Sequence, residues 1–132
     1  MITKEYIAGF IDGEGHIGMR INKDKRTEKF SVCVKLCVVN TNKKVIEEIG
    51  KIWDKNVIER SNGQNNLKLY EIKIENVKEI KKALEEVIDY LIVKKNRAKI
   101  MIDYCDSRIK NFSKKYTPDE LKMVERFKNV LV

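Results

Sequence analysis

Thr3-Lys-Glu-Tyr-Ile-Ala-Gly-Phe-Ile-Asp-Gly-Glu-Gly-His-Ile-Gly-Met-Arg-Ile-Asn22 switches its hydrophobic period halfway along. Up to Gly13 the apolar residues Tyr6, Ile7, Phe10 and Ile11 fall at i, i+1, i+4 and i+5, which predicts a helix over about Lys4 to Gly13 with Thr3 as its N-cap. Glycines 13 and 15 end it. From His16 to Asn22 the residues alternate strictly, with Ile17, Met19 and Ile21 on one side and His16, Gly18, Arg20 and Asn22 on the other. That is the pattern of a half-buried strand.

The pattern continues outward from this stretch. After a polar turn over 22–29, Phe30 to Val39 alternates again, Val32, Val34, Leu36 and Val38 against Ser31, Cys33, Lys35 and Cys37, so the two strands predict a hairpin. Thr41 or Asn42 caps a helix through Trp53, carried by Val45, Ile46, Ile49 and Ile52. A second hairpin pairs Val57 to Ser61 with Leu67 to Ile74 across a turn-rich link over 62–66. Asn76 with Glu79 starts a helix running toward Leu91. A basic link, Lys94 to Arg97, leads into another helix through about Ile109, and Thr117-Pro-Asp-Glu120 opens a last one. The order αββαββα with C-terminal helices predicts an α+β fold: a four-stranded antiparallel sheet with helices on one face and the other free.

At 132 residues the chain suits one domain spanning 1–132, and 42% hydrophobic content is too high for a disordered tail. A net charge of +8 and a pI near 9.3 suit a polyanion, either nucleic acid or an anionic membrane surface. The charge is +3 over 1–56, −1 over 57–93 and +6 over 94–132. No apolar run approaches the roughly 18 residues of a membrane span, and no secretory pattern opens the chain, so an intracellular protein without membrane insertion is expected. Cys33, Cys37 and Cys105, with His16 as the single histidine, lack the ligands and spacing of a structural zinc site.

Ile7-Ala-Gly-Phe-Ile-Asp-Gly-Glu-Gly15 resembles the motif that names the LAGLIDADG homing endonucleases. Alanine, both flanking glycines, Ile11 and Asp12 match it; Ile7 and Phe10 stand for leucines, Gly13 for alanine and Glu14 for the final aspartate. The element order is that family's as well. Gly9 and Gly13 lie four apart on a helix, so a second helix can approach closely there. With one motif in the chain, a twofold homodimer is expected, with Ala8, Gly9, Asp12 and Gly13 at its interface.

The resemblance implies a site-specific homing endonuclease that cuts both strands of a long pseudo-palindromic DNA site and promotes mobility of its intron or intervening sequence. It implies Mg²⁺, with Mn²⁺ or Ca²⁺ able to substitute in binding, held by Glu14 and the carbonyl of Gly13. Asn40, at the end of the second strand, would order water, although Asn is shorter than the family's usual Gln. Lys94 would be the active-site lysine, with Lys95 as the fallback. Asp12 is expected to be structural.

A two-stranded ribbon fits the major groove of double-stranded DNA. If the apolar side packs under the helices, Gly18, Arg20, Asn22, Ser31, Cys33 and Lys35 face DNA, joined by Lys44 (preferred over Lys43), Arg60 and Lys73. Two alternatives stand beside this: an RNA maturase that assists splicing, with intron RNA as partner, and a non-catalytic DNA-binding regulator.

Overall fold

A computed structural model describes residues 2–62, 67–112 and 114–130. Helix α1 (Lys4–Glu14) leads into strands β1 (Gly15–Lys23) and β2 (Phe30–Asn40), helix α2 (Lys43–Trp53), strands β3 (Ile58–Asn62) and β4 (Leu67–Ile74), and helices α3 (Val77–Val87), α4 (Lys95–Lys110) and α5 (Pro118–Asn129). The strands form one antiparallel sheet in the order β1-β2-β4-β3. The fold is the α+β arrangement expected.

The caps form as the sequence directs. Thr3 accepts from the Tyr6 amide, Asn42 from that of Val45, and Asn76 from those of Lys78 and Glu79, each satisfying helix donors that have no partner within the helix. Thr117 and Glu120 close a reciprocal capping box with Pro118 in the first turn. Of the two candidates for the second cap, it is Asn42 that serves.

Several boundaries differ from expectation. α1 continues one residue past Gly13, because Gly15 rather than Gly13 turns the chain: a Cβ on Gly15 would lie 2.8 Å from the Ile11 Cα. β3 starts at Ile58 and not at Val57. The helix toward Leu91 ends at Val87 and tightens into a 3₁₀ turn over Ile88–Tyr90. The basic link is in fact the opening turn of α4, with Lys94 in its cap position. Of the turn expected over 62–66, residues 63–66 lie outside the described residues.

The core lies between the helices and the inner side of the sheet. Ile7, Ala8 and Ile11 of α1 share one buried cluster with Ile17, Leu36, Val38, Ile72 and Ile74 of the strands, all with 2% exposure or less. Ile46, Ile49, Ile80 and Leu84 extend it from α2 and α3, and Ala98, Met101, Tyr104 and Val124 from α4 and α5. On the other side Arg20, Asn22, Ser31 and Lys73 are exposed, while Gly18, Cys33 and Lys35 are partly covered. Cys37 shares this outer side yet is buried, because it lies in the second strand between its register partners His16 and Lys73. Burial pushes its thiol upward, against the pull of Lys35. Among the described residues no helix is long and apolar enough to cross a membrane.

Candidate functional site

α1 has two unlike sides. Its inner side carries the buried Ile7, Ala8 and Ile11. On its outer side Gly9 and Gly13 are exposed, and a Cβ on either would meet nothing within 4 Å. Tyr6 and Phe10 stack beside them with ring centroids 6.3 Å apart. Tyr6 is 51% exposed, and at the helix's far end Ile92 and Val93 are 84% and 48% exposed. This is an open apolar stripe with two bare positions in it. Ala8 does not belong to it: at 0% exposure it packs in the chain's own core and cannot reach a partner.

The end of α1 is clasped to the start of α4. A helix C-terminus leaves carbonyls without partners and a helix N-terminus leaves amides. The Lys94 ammonium donates to the carbonyls of Ile11 (2.8 Å), Asp12 (3.1 Å) and Gly15 (2.7 Å). In return the Asp12 carboxylate accepts from the amides of Ile92 (2.8 Å) and Lys94 (3.0 Å). Burial opposes ionisation of Asp12, but the amides of Ile92, Lys94 and Val93 and the charge of Lys94 outweigh it and hold the carboxyl below its ordinary value. For Lys94 burial dominates and lowers the ammonium, with Asp12 and Glu14 opposing. The Asp12 carboxylate is thus engaged within its own chain.

The clasp leaves Glu14 exposed at the tip of α1 and does not draw on the Gly13 carbonyl. Among the described residues no three His, Cys, Asp or Glu side chains gather to hold a metal. One chain therefore offers Glu14 and a neighbouring carbonyl. That set is too small for a protein-only cage but is of the kind Mg²⁺ accepts, since it commonly takes one or two carboxylates and completes its shell with water and phosphate oxygens.

Asn40 lies close by along the sheet, two residues beyond the Gly15–Val38 pairing. Its Oδ1 accepts from the Asn42 amide at 2.8 Å, so this oxygen forms the turn into α2. It also pairs with Tyr70, in step with Val38 and Ile72 on the helix-backed side.

The outer side of the sheet brings most of the remaining candidates together. A shallow groove is lined by His16, Gly18, Arg20, Cys33, Lys35 and Lys73. Asn22 donates to the Cys33 thiol at 3.1 Å, and Ser31 stands opposite Asn22. Lys44 is exposed in the first turn of α2, apart from this face, while its neighbour Lys43 lies over the Tyr70 ring. Arg60 stands on the outer side of β3, where its Nη1 donates to the buried Glu71 carboxylate at 3.0 Å.

His16 and Arg97, which also line this groove, were not among the sequence candidates. His16 begins the exposed alternation of β1, and its ring lies so close over Gly18 that a Cβ there would sit 2.6 Å from Nε2. Burial lowers its imidazole, with Lys35, Arg97 and Lys94 acting the same way. The alternation alone could have marked it. Arg97 borders the groove but is committed to α5, donating to the Val130 carbonyl at 2.9 Å and stacking on Phe127.

Together these features define a class of protein: an α+β domain whose first helix is bare on one side and ends on an exposed acid, beside an open basic sheet face. The LAGLIDADG endonuclease family profile matches residues 7–117, and the chain belongs to that family. No curated protein matches it. Among solved structures, the homing endonuclease I-CvuI in complex with a DNA target is similar at a TM-score of 0.75 and 21% identity, over 96% of this chain and 80% of that one. The archaeal intron-encoded homing endonuclease I-Vdi141I, complexed with DNA, reaches 0.67 at 18%, over 95% and 96%. The meganuclease I-SmaMI, bound to DNA, reaches 0.72 at 16%, over 98% of this chain and 45% of that one. At these identities the likeness is one of fold.

Proposed function

We propose that the chain is a site-specific DNA endonuclease that acts as a homodimer and cuts both strands of a long pseudo-palindromic duplex, with mobility of its intervening sequence as the biological outcome. The observation that carries this reading is the exposed Glu14 at the tip of a helix whose glycine side is open. An isologous contact needs one surface only, and Gly9 and Gly13 let two copies of α1 approach closely. Tyr6, Ile92 and Val93 would then be covered.

Such a contact would bring Glu14 and its twofold mate together. Two close carboxylates need a compensating cation, and scissile phosphates would supply further oxygens. A divalent cation held there supplies charge neutralisation and activation of water for hydrolysis. I-CvuI was solved with Mg²⁺ and with Ca²⁺, which supports a divalent cation here, and a carboxylate-and-carbonyl set completed by water and phosphate oxygens suits Mg²⁺. Glu14 and the Gly13 carbonyl would hold it. Lys94 keeps the end of α1 rigid and sets an ammonium near Glu14, which would temper charge developing on the phosphate. Asn40 would contribute through its amide NH₂, its oxygen being engaged in the turn. Gly18, Arg20, Asn22, Ser31, Cys33, Lys35 and Lys73 would meet the major groove, and Lys44 would contact backbone phosphate.

The test is cleavage of a randomised duplex library in Mg²⁺ by wild type and Glu14→Gln. Wild type should cut both strands at one long, imperfectly palindromic site. Glu14→Gln should bind that site but cut it roughly a thousandfold more slowly, the equivalent of about 4 kcal/mol. Binding without cleavage in any divalent metal would instead identify a DNA-binding regulator.

A further inference from the structure

β1 and β2 run on beyond the rest of the sheet. β4 pairs with β2 over Leu36–Asn40, so among the described residues Phe30 to Lys35 and their partners Gly18 to Lys23 form a two-stranded ribbon. Such a ribbon twists more than a sheet with further strands beside it. At its tip the Asp24 amide donates to the Lys29 carbonyl, which places the bonded rungs of the ladder on Asn22–Ser31 and every second pair after it. The Val32 amide therefore points away from β1, to the open edge, where a backbone donor needs a partner. It donates to the Tyr116 hydroxyl at 3.0 Å, across 84 positions of chain.

We infer that Tyr116 is a positioning residue for target recognition: it braces the ribbon in one pose and so sharpens the choice of bases, while touching no base itself. The inference rests on the DNA-facing reading of the outer sheet side proposed above. Val32 pairs with Ile21, and the residues flanking this rung are Arg20, Asn22, Ser31 and Cys33, four of the side chains which that reading sends to the major groove. The hydroxyl thus grips the ribbon at the centre of its reading surface. Tyr116 is itself held. Its ring stacks on Phe30 with centroids 5.4 Å apart, and the Arg108 guanidinium lies 4.5 Å from its centroid. Arg108 in turn donates to the fully buried Glu120 at 3.1 Å and to the Lys114 carbonyl at 3.2 Å. Glu120 belongs to the capping box of α5, so an unbroken line of contacts joins the ribbon to the helices. A ribbon free to twist can re-aim its side chains at a mismatched base. One held in its bound pose loses less freedom on the matched site and adapts less to the others.

The experiment is selection of bound duplexes from a randomised-site library in Ca²⁺ by wild type, Arg20→Ala, Asn22→Ala and Tyr116→Phe. The first two substitutions mark the base pairs that the ribbon reads. Tyr116→Phe removes one oxygen and keeps the ring between its neighbours. It should relax the preference at those same base pairs by about threefold to tenfold, the range set by a single hydrogen bond, and leave the other positions as they are. Hydrogen exchange at the Val32 amide should quicken in the same variant. Preferences retained outside the ribbon's base pairs report that it is folded. A uniform fall in affinity with every preference intact, relaxation at other base pairs, or a profile identical to wild type overturns the inference and leaves the endonuclease reading standing. Wild type that binds its selected site but cuts it in no divalent metal overturns the endonuclease reading alone, and no duplex binding overturns both.

Discussion

Ala8 and Gly9 are neighbours in the chain and opposites in circumstance. Ala8 is fully buried among the strands, whereas Gly9 is exposed with open space where a Cβ would be. The inner side of α1 is finished by its own chain. The outer side has glycines where a helix facing only solvent would gain from larger residues, since glycine inside a helix costs about 0.5–1 kcal/mol relative to alanine. The contrast teaches that α1 carries a stability cost on one side that the single chain does not recover, and a second copy of α1 offers a reason for it.

The largest effect should come from filling the open side. Gly9→Leu should leave the monomer folded, because nothing lies in its way, with a melting temperature lowered by no more than the loss of the partner subunit accounts for. It should lower cleavage at the selected site by at least about a hundredfold, the equivalent of about 2.7 kcal/mol of lost assembly. Comparing melting and cleavage in the one variant separates the two functions of α1. Ala8→Leu should do the reverse: extra volume in a closed core should destabilise the fold by about 1–3 kcal/mol, read by denaturant unfolding. A variant at Ala8 that melted normally but failed to pair would break the distinction between the two sides.

Asp12 joins the two sides, and its removal should have an intermediate effect. Asp12→Ala strips the acceptor from the amides of Ile92 and Lys94 and should cost about 1–3 kcal/mol in urea unfolding. It should also loosen the tip that presents Glu14, so cleavage should fall further than unfolding alone accounts for.

The smallest effect concerns the far end of the molecule. Glu120 is fully buried and accepts from Ser107, Arg108 and the Thr117 amide. Burial would raise its carboxyl, but these contacts outweigh it and hold the group below its ordinary value. Its stabilising contribution is therefore complete above the ordinary carboxylate range and is lost as pH falls through the lowered folded value; Asp12 behaves in the same way. Glu120→Gln should be less stable at neutral pH and show a flatter fall in melting temperature on the acid side. An acid limb as steep as wild type would remove Glu120 from this account.

Local signals were readable in the sequence because their causes are local. Thr3, Asn76 and the Thr117–Glu120 box cap the helices they precede, and alternation alone assigns Arg20, Asn22 and Ser31 to the outer side. The side taken by Ala8 was readable too, since it lies three residues from Ile11 on the same helical side, yet its place in the motif suggested the interface. Other features were beyond reach. The Asp12–Lys94 clasp joins residues 82 positions apart, and the pairing of Arg60 with Glu71 depends on a register that the short alternation of β3 could not fix. The oxygen of Asn40 was free on paper, but the turn into α2 claims it.

Sedimentation velocity of wild type, alone and with a duplex carrying its selected site, tests the central claim most directly. Each chain is 15.5 kDa, so a free species near 31 kDa and two chains per duplex are expected. A 15.5 kDa species that binds and cuts both strands as a single chain would contradict it.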